Sequence, residues 1–120
     1  MTLGARFDGL ECRPLPGGLA LLVAGNRRSR MLGLARLDDL PADHAMLFDR
    51  CRSIHTAGMR FELDLLWLDR HGRVVRLDRA VAPRRMRTCL RARAVVETNA
   101  GQGERFASAL AQVSAQSQRR

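Results

Sequence analysis

The run Leu63-Asp64-Leu65-Leu66-Trp67-Leu68 constrains the fold of this chain more than any other segment. On an extended backbone, Leu63, Leu65 and Trp67 face one way while Leu66 and Leu68 face the other. A strand that is apolar on both faces must be covered on both faces, so residues 62–69 read as a central strand. Asp64 interrupts this pattern. A lone carboxylate among apolar neighbours costs several kcal/mol unless it finds donors, so Asp64 requires partners. His55, Thr56, Arg60 and the backbone near Gly58 are the candidates. Glu97 stands in a similar apolar strand, residues 94–98, and its expected partner is an arginine between Arg84 and Arg93.

The neighbouring segments supply the rest of the sheet. Asp69-Arg70-His71-Gly72 has glycine where a short hairpin loop needs a left-handed residue, and residues 73–81 form the return strand. Pro16-Gly17-Gly18 likewise joins residues 10–15 and 19–24 into an opening hairpin. Asn26 can cap a short helix over 27–36, with Met31, Leu34 and Leu37 at intervals of three, which ends before Pro41. Residues 45–49 and 53–56 are short strand-like pieces around Arg50-Cys51-Arg52. Pro83 opens an arginine-rich loop. Phe106, Leu110 and Val113 recur at i, i+4 and i+7 and predict an amphipathic helix over 104–116 that packs on the sheet. The class is α+β: a mostly antiparallel, sheet- or barrel-like core with a short helix after the first hairpin and a C-terminal helix. One domain over 1–120 suffices, with residues 117–120 as a frayed tail, because a chain of 120 residues buries roughly two-thirds of its unfolded surface around one core.

A net charge of +9 raises the question of polyanion binding. All 21 basic residues are arginine, which points to a compositional bias of the genome. Tyrosine is absent, and Trp67 and the four phenylalanines fall mostly in apolar runs, so few aromatics are left to stack on bases. The densest run, Arg84, Arg85, Arg87, Arg91 and Arg93, reads as a solvated face able to meet an acidic partner; specific nucleic-acid binding is not expected. No apolar run approaches the roughly 20 residues of a membrane span, and residues 19–24 lack the basic lead of a signal peptide. Cys12, Cys51 and Cys89 are odd in number and irregular in spacing, which suits reduced thiols and a cytoplasmic location.

Residues 51–64 carry side chains suited to more than one chemistry. Cys51, His55 and Met59 are ligand types of a blue-copper loop, but that site needs a second histidine. His44 lies only seven residues before Cys51, and His71 falls in an exposed turn; a zinc site would need Cys89 to converge. No metal and no cofactor is expected. Cys51 and His55, with Asp64 orienting the imidazole, are the weak candidates for a catalytic set, although no glycine-framed nucleophile turn surrounds Cys51. The preferred alternative is a ligand- or partner-binding surface formed by His55, Thr56, Met59, Arg60, Asp64 and Glu97.

The segment from Cys51 to Gly72 resembles the most recognisable part of domain-of-unknown-function family 192. Similar pieces flank it: Arg30-Met31-Leu32-Gly33-Leu34 with Arg36 and Leu37, Met46-Leu47-Phe48, Val74-Val75, Pro83-Arg84, and Val95-Val96-Glu97 through Ala100-Gly101. They cover residues 27–101 in the family's order. The resemblance implies a sheet-dominated α/β domain and carries no established activity. Two departures stand out. Gly101-Gln102-Gly103 leads into a helix where the family commonly turns into another strand. His55-Thr56-Ala57-Gly58-Met59 replaces a Trp-Met-Lys-Asn-Thr type sequence, which speaks against an essential catalytic role for His55. The resulting reading is a small binding or accessory module using the surface around His55, Met59, Arg60 and Asp64 toward a protein or small-molecule partner. The alternative is a hydrolase- or transferase-like enzyme using His55 with Cys51 or Asp64.

Overall fold

Residues 63–68 are buried along their whole length because they lie inside a six-stranded sheet, hydrogen-bonded on both sides. The computed structural model describes residues 7, 9–25, 34 and 40–118. Its strands are β1 (Cys12–Leu15), β2 (Leu19–Val23), β3 (His44–Asp49), β4 (Ser53–His55), β5 (Leu63–Leu68), β6 (Val74–Val81), β7 (Met86–Thr88) and β8 (Ala94–Asn99). One helix, α1 (Gly103–Gln118), follows. The main sheet runs β1-β2-β3-β8-β5-β6, and β4 and β7 form a separate two-stranded ribbon. All pairings are antiparallel except β2 with β3. The sheet is open, with β1 and β6 at its edges, so the barrel-like alternative does not hold. The expected helix over 27–36 lies outside the described residues, apart from Leu34, which is buried in the core.

The alternation along β5 and β8 divides the core in two. Leu66, Leu68, Ala94 and Val96 face α1 and pack with Phe106, Ala109 and Leu110. Leu63, Leu65, Trp67 and Val95 face the other way and pack with Leu34, Leu40, Met46, Phe48, Val81 and Cys89. The ribbon covers part of this second face through Ile54. Helix α1 is seated by Phe106 and Leu110 as its spacing predicts, but Val113, expected on the same buried stripe, is 38% exposed. The arginine-rich stretch after Pro83, expected to be a loop, contains β7.

Candidate functional site

Asp64 is 3% exposed, and its donors are three backbone amides. Between Leu63↔Val81 and Leu65↔Asp78 the β6 strand carries one extra residue, a bulge with Ala80 in the left-handed region at φ 51°. The Ala80 N–H, turned out of the ladder, donates to Asp64 Oδ1 at 2.9 Å. Asp64 Oδ2 accepts from Gly101 N at 3.0 Å and from Gly103 N, the first residue of α1, at 2.9 Å. A carboxylate there satisfies an otherwise orphaned helix N–H and meets the positive end of the helix dipole. The approach is so close that a Cβ on Gly103 would stand 2.8 Å from Asp64 Oδ2 and from Leu77 Cδ1. Glycine at 103 is therefore required by Asp64. The partners expected from sequence, His55, Thr56 and Arg60, do not bind it.

Glu97 lies on the opposite face. It pairs with Leu65 and Met46, whose side chains belong to the second core, whereas Asp64 pairs with Thr98. Glu97 is 7% exposed and its carboxyl forms no hydrogen bond or ion pair among the described residues, so the expected arginine partner is not found there. Burial alone pushes its pKa up to about 7. Two residues along the same face, Asn99 donates through Nδ2 to the Leu40 carbonyl, and its buried Oδ1 has no partner among the described residues.

The remaining candidates gather on the ribbon. In its register Ser53 opposes Thr88 and His55 opposes Met86, with the Ser53 and Thr88 hydroxyls 2.9 Å apart. These four residues form the outer face, while Ile54 turns inward. His55 is exposed, and Met86 beside it is 65% exposed. Thr56 is buried and works as a clasp. Its hydroxyl donates to the Ala82 carbonyl at 2.7 Å and accepts from Arg85 N at 2.8 Å. Its own backbone N–H donates to the Arg85 carbonyl at 2.8 Å, and its carbonyl accepts from Arg84 N at 3.2 Å. Arg84 is thereby held at φ 62°, a conformation that a non-glycine residue keeps only when its surroundings fix it. Met59 is half-buried, packing against the second core, and Arg60 is exposed at the same end of the chain's path into β5.

The structure thus separates residues that the sequence grouped. His55 stays on the ribbon with Thr56 beneath it, Asp64 serves the helix face, and Glu97 serves the second core. Cys51 Sγ donates to the Ser53 carbonyl at 3.3 Å, and Asp64 is bound to backbone rather than to His55. Among the described residues, no three His, Cys, Asp or Glu side chains gather as they would around a metal ion. Met86 was not anticipated. Its signal was present as a lone apolar residue in an arginine run, but nothing in that run announces a strand.

A family model described as "Uncharacterized ACR" matches residues 17–109, from the first hairpin turn into α1. The chain belongs to domain-of-unknown-function family 192, DUF192. The DUF192 match is wider than the span of 27–101 that carries the resemblance in the sequence, and the reading of an uncharacterised module agrees with it. None of the curated proteins matches the chain. Two solved structures share the fold. One, from Sinorhizobium meliloti and provisionally described as a transcription regulator, is 23% identical with a TM-score of 0.66, covering 79% of this chain and 82% of that one. The other, a protein of unknown function from Novosphingobium aromaticivorans, is 16% identical with a TM-score of 0.64, covering 88% and 93%. No helix among the described residues is long and apolar enough to cross a membrane.

Proposed function

We propose that this DUF192 protein is a binding module whose outer ribbon face receives a short acidic segment of a protein partner carrying an apolar residue. The observation that carries the reading is Met86, an apolar side chain 65% exposed, set in register beside His55. Methionine at a contact surface adapts to varied apolar partners because its side chain is unbranched and polarisable. Arg84 and Arg85, clasped by Thr56 immediately before it, place cationic side chains beside it. Such charges speed encounter with an acidic partner and suppress basic ones. The site residues of this reading are His55, Met86, Arg84 and Arg85, with Met59 and Arg60 at its margin. Asp64, bound to three backbone amides, supports the fold behind it. The free cysteines accord with a reducing compartment, and we place the protein in the cytoplasm as a single domain.

The reading is tested by selecting displayed peptides on the pure protein and repeating the selection with Met86→Asp. Acidic peptides with an apolar anchor are expected to be enriched by the parent and lost with the variant. Because Met86 is exposed, thermal stability should be unchanged within about 0.5 kcal/mol. Enrichment that survives Met86→Asp would overturn the assignment of this face.

A further inference from the structure

Where α1 overhangs the β1–β2–β3 side of the sheet, it leaves a groove of about 560 Å³. Its apolar lining includes Leu21, Leu47, Leu110 and the half-exposed Val113. At the end nearest the β5–β6 turn the groove meets a second recess, and the two share Asp69, Arg70, His71 and Arg93. Arg52 and Arg91 complete that second recess.

The charge at this corner is unbalanced. Four guanidiniums border it, and none is in an ion pair among the described residues. Arg52 Nε donates to the Ala92 carbonyl at 3.0 Å, Arg91 to the Val75 carbonyl at 3.3 Å, and Arg70 Nε to His71 Nε2 at 3.2 Å. Arg93 has no side-chain partner there. Asp69, the one carboxylate there among the described residues, is engaged with its own turn: Oδ1 accepts from His71 N at 2.8 Å and Arg73 N at 3.0 Å, and these bonds, that of Arg73 first, lower its pKa. Asp49, further along the groove, likewise accepts from Arg50 N at 2.9 Å. The groove therefore joins an aliphatic trough to four guanidiniums that outnumber the one carboxylate beside them and form no ion pair among the described residues.

We propose that this groove binds a soluble single-chain amphipathic carboxylate, with its head at the Arg70–Arg93 corner and its alkyl chain along Leu21, Leu110 and Val113. The planar fork of arginine fits a carboxylate bidentately. The trough supplies the apolar contact that dominates small-molecule sites, and its volume lies within their usual range of about 300–1,000 Å³. This site is distinct from the ribbon, and neither proposal depends on the other.

The test is calorimetric titration of the full chain with dodecanoate below its micellar concentration, beside dodecyltrimethylammonium and octyl glucoside. Dodecanoate alone is expected to bind saturably. Arg93→Glu and Val113→Asp, both at exposed positions, should each weaken it by about tenfold or more while leaving the melting temperature in place. Equal binding of the cationic amphiphile, or dodecanoate binding indifferent to Arg93→Glu, would overturn the head-group assignment. Sedimentation with anionic phospholipid vesicles in the absence of any dodecanoate binding would overturn it in favour of a membrane surface. Displacement only by acidic peptides would overturn it in favour of a protein occupant.

Discussion

Asp64 and Glu97 sit on adjacent strands of one sheet, a single rung apart, and their surroundings differ in every respect that matters to a buried acid. Asp64 faces the helix and accepts three backbone N–H groups, from a bulge, a turn and a helix start. Glu97 faces the second core and accepts none among the described residues. Burial of comparable depth therefore has opposite consequences. Asp64 joins β6, the turn after β8 and α1 into one unit, so its hydrogen bonds stabilise the fold. The ionised form of Glu97 destabilises it, and the carboxyl holds its proton toward neutral pH instead.

The largest expected effect is at Asp64. Replacing it with alanine leaves the amides of Ala80, Gly101 and Gly103 without an acceptor and should cost about 2–4 kcal/mol in a urea melt. A variant as stable as the parent would show that water answers these amides equally well and would remove the contrast with Glu97.

That Asp64 is buried was legible from the alternation of β5, as were both main hairpins and the helix built on Phe106 and Leu110, because period and turn chemistry act locally. Its partners were not legible. They are main-chain groups freed by a bulge at Ala80 and by a glycine turn, and backbone donors leave no mark in side-chain chemistry. The Gly101-Gln102-Gly103 sequence held the clue, since Gly103 has no room for a Cβ against Asp64. Strand β7 was hidden for a related reason. Three residues carry no periodicity, and the clasp that orders them comes from Thr56, 29 residues before Arg85. Of the residues on the ribbon's outer face, His55 was a candidate from the sequence and Met86 was not.

The smallest expected effect is at His55. It is exposed on the ribbon and its side chain forms no hydrogen bond among the described residues, so His55→Ala should cost about 1 kcal/mol or less in the same melt. Any role it has should appear in partner binding. Unfolding of this variant would mean that the ribbon, like Asp64, belongs to the structural half of the molecule.

The difference between the two carboxyls is tested most directly by the stability of the parent and of Glu97→Gln at pH 5 and pH 8. Burial raises the Glu97 pKa to about 7 from an ordinary 4.5. Between those values the folded chain retains a proton that the unfolded chain has released, so stability falls as pH rises through that window. Glutamine cannot ionise. Relative to the parent, Glu97→Gln should therefore gain about 2–3 kcal/mol between pH 5 and pH 8. A stability difference that stays constant across that range would mean that the Glu97 carboxyl does not change protonation with folding, and would contradict the account.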